Sequence, residues 1–289
     1  MLRQKRVAAI HDISCFGKCS LTVALPVISA AGIEVSCIPT AILSTHTGGF
    51  TGYTYRDLTG DMLPIVSHWR ELSLRFDALY TGYLGSPEQL DIVSGIFDAL
   101  AGDDTLIVVD PVMADDGRLY PSFPHDFPSG MRELCSKADV VVPNMTEALL
   151  LLGEPYSEGP YTSEFIDGVT RRLLELGPRR VILTGVYFDG KQLGAASRSA
   201  GASGSELVMS RRIPGSYHGT GDVFASALTA GLVRGMTPES AARVAVDFTV
   251  GCIERTRRAG TDTRFGVDFE SGLADFINAV NSAVPVRAD

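Results

Sequence analysis

The sequence predicts an α/β fold: a mostly parallel central sheet with helices on both faces and a small antiparallel hairpin. Three observations predict it. Short apolar runs such as Leu106–Val109 and Val181–Thr184 recur without alternation, as strands buried on both faces do. Amphipathic stretches separate these runs, which is the rhythm of a sheet covered by helices. One pair of runs, Gly194–Ser197 and Glu206–Met209, is joined by a Gly/Ser-rich turn and reads as a hairpin appended to the sheet. No internal repeat, low-complexity tract or linker divides the chain, so one domain over residues 1–289 is expected.

Taken in order, Val7–Ile10 is the first strand, and Leu21–Ala31 is a helix that Pro26 should kink or delay. Glu34–Ile38 and Asp77–Thr81 follow as strands. Pro87–Leu100 is a helix, because Leu90, Val93, Phe97 and Leu100 share a face and Pro87 suits the first turn. Leu106–Val109 is a strand ending at Asp110, and Val140–Val142 another ending at Pro143-Asn144. Phe165–Leu176 is amphipathic and Val181–Thr184 is the next strand. Gly219–Val233 and Pro238–Ile253 read as two consecutive helices.

Of the 289 residues, 45% are hydrophobic and 20% charged, which excludes a disordered chain, a collagen-like repeat and a coiled coil. The formal charge is −9 and no basic block exceeds two or three residues, so the footprint of nucleic acid or an anionic membrane is missing. The apolar stretch VAAI after the basic start is too short for a signal peptide, and Leu21–Ile33 is interrupted by Pro26. Five scattered cysteines and these features lead us to expect free thiols in a reducing cytoplasm. Cys15 and Cys19 have metal-like spacing, but no second pair completes a zinc site.

Ligands of parallel sheets bind beyond the carboxyl ends of the strands. The polar residues there are His11-Asp12, Tyr83, Asp110, Asn144, Thr184 and the segment around Asp222. Gly219-Thr220-Gly221-Asp222 opens a helix. Its unpaired amides and the positive end of the helix dipole can hold a developing phosphate charge, and Asp222 can accept a proton from an attacking hydroxyl. The same residues also suit a plain helix cap. No Gly-Lys-Ser/Thr follows, so this is not a Walker loop. Asp110, in Asp110-Pro111-Val112-Met113, either binds a cation or caps its turn. Asn144 and Glu147 either orient a Mg²⁺–phosphate shell or form a capping box. Together Asp110, Glu147 and Asp222 are the parts of a phosphoryl-transfer enzyme that lacks a P-loop.

DPVM, PNxxE and GTGD in this order resemble the ribokinase-like superfamily, with its three-layer sandwich. Ser44-Thr45-His46-Thr47-Gly48 resembles the Ser-x-His-Thr element of pyridoxal kinases, and Thr81-Gly82-Tyr83-Leu84-Gly85-Ser86 resembles their Gly-Tyr-Leu-Gly segment. HDISC and STHTGGF resemble the bacterial pyridoxamine/pyridoxal kinase branch. The resemblance spans roughly Arg6 to Arg255, nearly the whole chain.

It implies ATP-dependent phosphorylation of the 5′-hydroxyl of pyridoxal, pyridoxamine or pyridoxine. Asp222 is then the base, and the amides of Gly219, Thr220 and Gly221 the anion hole. Asp110 and Glu147 lie near Mg²⁺ and a monovalent cation (K⁺). Asn144, Thr184 and Asp115 lie near the nucleotide phosphates. Tyr83 packs on the pyridine ring, and His46 and Thr47 contact its substituents. The resemblance also implies a homodimer.

Where many relatives have Ser after the first strand, this chain has Asp12. That carboxylate either meets the vitamin's polar groups or caps the next helix. An Asp222 near the ordinary carboxylate pKa of about 3.9 would mainly orient the hydroxyl and collect its proton late. Ala114–Pro128, rich in Gly, Asp and Pro, is expected to be a mobile cover. The rivals are a hydroxymethylpyrimidine kinase of the same fold and a non-catalytic vitamin B6-binding protein. A sugar kinase lacks its expected two-Gly, Asn-rich opening near the first strand, and a dehydrogenase lacks Gly-x-Gly-x-x-Gly, since HDISCFGKCS follows that strand.

Overall fold

A computed structural model describes residues 3–284. In chain order its first half contains β1 (Arg6–Ser14), α1 (Leu21–Ala30), β2 (Glu34–Leu43), β3 (Tyr55–Asp57), α2 (Thr59–Glu71), β4 (Ala78–Thr81), α3 (Pro87–Leu100), β5 (Leu106–Val109), β6 (Ala114–Asp115), β7 (Arg118–Leu119) and α4 (Phe127–Ser136). The second half contains β8 (Val140–Val141), α5 (Met145–Leu152), α6 (Ser163–Leu174), β9 (Arg180–Val186), β10 (Gln192–Ser199), β11 (Glu206–Arg211), α7 (Thr220–Val233), α8 (Pro238–Ala259) and α9 (Leu273–Ala283).

Nine strands form one sheet in the order β11-β10-β9-β8-β5-β4-β1-β2-β3. The six from β9 to β2 are parallel, while β3 at one margin and β10 and β11 at the other are antiparallel. The expected hairpin is β10–β11, with Gly194 opposite Met209 and Ser197 opposite Glu206.

Why the apolar runs do not alternate is visible in the packing. Leu79, Val109, Val141 and Leu183 enter one core with α2 to α6, and Tyr80, Val108, Val140 and Ile182 enter another with α1, α7, α8 and α9. Successive side chains point to opposite faces, and both faces are dry. The ribokinase-like three-layer arrangement is the one observed.

Several expected boundaries move. β1 and β2 run four and five residues further than Ile10 and Ile38, to Ser14 and Leu43. α8 continues to Ala259, where Gly260 at φ 63° ends it. Pro26 does not delay α1, which begins at Leu21. Leu21, Val23, Ala24, Val27 and Ile28 are buried along it, and that packing outweighs the lost backbone bond. The segment expected to be a mobile cover contains the paired strands β6 and β7 and the start of α4. Among the described residues no helix is long and apolar enough to cross a membrane.

Candidate active site

The carboxyl ends of the six parallel strands open into one cleft of about 920 Å³. All thirteen residues expected at the site line it: Asp12, His46, Thr47, Tyr83, Asp110, Asp115, Asn144, Glu147, Thr184 and the run Gly219 to Asp222. They come from seven segments of the chain, and what gathers them is strand order.

The start of α7 is the centre of the site. Gly219 is its N-cap at φ 75°, and no side chain caps the first turn. Thr220 does not serve as a cap, because its hydroxyl donates to the Tyr217 carbonyl at 3.2 Å. The plain helix-cap alternative therefore does not describe this turn, and its amides face the cleft. A Cβ on Gly219 would lie 2.3 Å from the Lys18 carbonyl oxygen, so glycine lets the 15–20 segment dock on the turn.

That docking segment is anchored by Asp12. One carboxylate oxygen accepts from the Ser14 hydroxyl at 2.9 Å and the other from the Ser20 hydroxyl at 2.5 Å. Asp12 is buried, and its pKa is raised by burial, with the two serines offsetting part of that. Ser20 is the N-cap of α1, in a left-handed conformation at φ 55°. Asp12 thus lines the cleft and also braces the entry to α1.

One end of the cleft is built around the start of α5. Asn144 Oδ1 accepts from the Glu147 amide at 2.9 Å, and Glu147 Oε2 accepts from the Asn144 amide at 2.8 Å, a complete capping box. Asn144 Nδ2 donates to the Ala114 carbonyl at 2.8 Å and to Asp115 Oδ1 at 3.1 Å, tying α5 to β6. Glu147 Oε1 accepts from the Met113 amide at 3.2 Å.

At the opposite end, buried Gln89 takes the Gly85 amide at 2.7 Å and donates to the Thr40 carbonyl at 3.0 Å. This pins the Tyr83 loop to β2. The Tyr83 ring packs against Phe123 at 5.5 Å. His46 is buried, with Nε2 donating to the Arg264 carbonyl at 2.7 Å and Nδ1 accepting from the Gly48 amide at 3.1 Å.

The family model for phosphomethylpyrimidine kinase matches residues 26–266. The chain belongs to this family. A provisionally named phosphomethylpyrimidine kinase from Bacteroides thetaiotaomicron VPI-5482 is 38% identical, superposes with a TM-score of 0.90 over 95% of this chain and 96% of its own, and was crystallised with pyridoxal. Pyridoxal kinase from Lactobacillus plantarum is 31% identical over 96% of this chain and 98% of its own, with a TM-score of 0.87. The pyridoxine/pyridoxal/pyridoxamine kinase of Bordetella avium (strain 197N) is 29% identical over 88% of this chain and 86% of its own. The resemblance carried by STHTG and TGYLG is borne out by these relatives.

In this family member the electrostatics of the cleft depart from the sequence-based expectation. The Asp222 pKa is not near 3.9. It is raised to about 7, first by burial and then by the charge of Asp12, with the Ser20 main chain and the Cys19 thiol offsetting part of the rise. Asp110 and Glu147 are both buried and both raised well above the ordinary range. Burial is the main cause for each; Asp222 adds to it at Asp110, and Asp110 adds to it at Glu147.

The cleft also has walls for which the sequence suggests no role. Cys19, Phe50 and His218 all line the cleft. His218 was the most accessible to sequence reading, since it directly precedes Gly219.

Proposed function

We propose that residues 1–289 act as one catalytic unit that transfers the γ-phosphoryl group of ATP to the 5′-hydroxyl of pyridoxal, pyridoxamine or pyridoxine. The observation that carries this reading is the uncapped start of α7, with Asp222 in its first turn, in a cleft whose other end is walled by Tyr83 and His46. Asp222, at about 7, is matched to a neutral solution: ionised often enough to accept a proton, basic enough to keep it. It takes the hydroxyl proton as the oxygen bonds to the γ-phosphorus, and the bond from that phosphorus to the bridging oxygen breaks to release ADP. The amides of Gly219, Thr220 and Gly221 bind charge growing on the transferred group, where loss of one donor typically costs about 3 kcal/mol. Tyr83 supplies a flat face for the heterocycle. Asn144, Thr184 and Asp115 lie toward the nucleotide phosphates.

Mg²⁺ fits this cleft in a particular way. Among the described residues no group of three or more His, Cys, Asp or Glu is arranged to hold a metal ion. Asp110 and Glu147, however, are two buried carboxylates whose pKa values burial and neighbouring carboxylate charge push upward, and a cation between them and the nucleotide would relieve that repulsion. Mg²⁺ usually takes one or two carboxylates and completes its shell with water and phosphate oxygens. Bound there, it would neutralise the β- and γ-oxygens of the nucleotide. A monovalent cation, K⁺, belongs to the same Asp110 region in this reading, and the active assembly is a homodimer. Glu147→Gln is expected to raise the Mg²⁺ concentration at half-maximal rate severalfold; a titration that superimposes on the wild type refutes the assignment.

Vitamin B6 is favoured over hydroxymethylpyrimidine because the 38%-identical relative was crystallised with pyridoxal and because the STHTG and TGYLG segments stand at the ring end of the cleft. Competing pyridoxal with hydroxymethylpyrimidine in one ATP-consumption assay tests this. Preferential turnover of the pyrimidine alcohol would reverse the substrate assignment, and no turnover of either would leave a binding protein.

A further inference from the structure

Two imidazoles stand side by side at the ring end of the cleft. His46 and His218 have centroids 5.1 Å apart and planes inclined by 32°. Their hydrogen bonding is opposite. Both nitrogens of His46 are committed, one to the Arg264 carbonyl and one to the Gly48 amide. These bonds tie the 44–48 loop to the 263–265 turn, and the His46 amide adds a bond to the Phe16 carbonyl at 3.3 Å. His46 therefore has no free ring nitrogen for a substrate.

The His218 ring has no protein hydrogen-bond partner among the described residues, although it is half-buried and lines the cleft. It is held against the 44–50 loop by shape. A Cβ on Gly48 would lie 2.6 Å from His218 Nδ1, so only glycine admits the ring there. Burial and the nearby Arg264 charge lower its pKa, against a smaller opposing pull from Asp262, which favours the neutral ring with one donor and one acceptor. A half-buried imidazole fixed by packing with both nitrogens free is equipped to bind a polar group of the ligand.

Its place on the chain indicates which group. His218 directly precedes the turn that carries the amides and Asp222. The reacting hydroxymethyl group of a B6 vitamer is on ring carbon 5, and its ring neighbour, carbon 4, carries the aldehyde, aminomethyl or hydroxymethyl group that distinguishes the vitamers. With the carbon-5 group at Asp222, a ring that lines the same cleft from the residue just before the turn is placed to reach the neighbouring substituent.

We propose that His218, not His46, is the imidazole that hydrogen-bonds the carbon-4 substituent, and that His46 is a positioning residue for the loop. This rests on the vitamin B6 reading above. The test is the ratio of kcat/KM for pyridoxine to that for 4-deoxypyridoxine, whose carbon 4 carries only a methyl group. His218→Phe is expected to lower that ratio about three- to tenfold, the worth of one hydrogen bond, and His218→Gln to restore part of it. A purely structural role would scale both substrates equally, so an unchanged ratio in both variants overturns the proposal, whatever the absolute rates. If the wild type phosphorylates none of these alcohols, the vitamin B6 reading falls and takes this one with it. Wild-type turnover with unchanged ratios removes the His218 assignment alone.

Discussion

Asp222→Asn is expected to lower kcat at least about a hundredfold while vitamer binding persists, because removal of a positioned general base typically costs 10²–10⁴ in rate. Two further readouts follow from its raised pKa. In the wild type, kcat/KM should climb with pH through a midpoint of about 7 and level off above it, as the carboxylate ionises. Asp12→Asn should move that midpoint to lower pH, since the charge of Asp12 is the second cause of the rise. Stability should respond with the opposite sign. A folded-state pKa above the unfolded one means that the native protein holds the proton more tightly. The stabilisation this gives is complete below about pH 4 and is lost as pH rises through about 7. Asparagine does not titrate, so ligand-free Asp222→Asn should melt above the wild type at pH 8 and lose that advantage toward pH 4. Near-normal turnover in this variant would remove Asp222 from the role of base. A melting difference that does not vary with pH would show that the carboxylate is not strained by its surroundings.

The same residues show how far a sequence carries a site. Asp110 and Asn144 were legible because each sits just past the end of an apolar strand, and Thr184 because it closes the apolar run of β9, where a parallel sheet places its ligand. Asp222 was legible from its turn, but not its pKa, which depends on Asp12 some 200 residues away in sequence. Whether Asn144 and Glu147 formed a capping box or a phosphate shell was open in the sequence. The box is complete, and the carboxylate that closes it also faces the cleft. His218 stands at the head of the same legible motif, but its part was not readable, because its position is set by Gly48 and contacts between distant glycines and rings leave no periodic trace. Among whole elements, α2 was invisible for a related reason. It buries only Met62 and Val66 and contains Pro64, so its apolar stripe is too thin to register as helical spacing. The β6–β7 hairpin has two residues per strand, below the length at which a pattern exists.

The two glycines of the turn are expected to fail in different ways. Gly219 is left-handed at φ 75°, and an added Cβ would lie 2.3 Å from the Lys18 carbonyl oxygen. A non-glycine residue in that conformation costs about 1–2 kcal/mol before any clash, and the clash is with main chain, which cannot swing aside. Gly219→Ala should therefore lower the melting temperature by several degrees and separate the turn from the 15–20 segment. It should also lower kcat by about 10²–10³, as displaced oxyanion donors do. Gly221 has no heavy atom within 4 Å of the place a Cβ would take, and it is exposed on the cleft. Alanine there favours the helix by roughly 0.5–1 kcal/mol, so Gly221→Ala should fold as well as the wild type or better. Its methyl group, however, would project into the open space beside the amides that the proposed reaction assigns to the transferred phosphoryl group. Turnover should drop with no loss of stability, and the KM for the vitamer should change less than kcat. A Gly221→Ala enzyme with full activity would mean that the phosphoryl group does not pass over this turn.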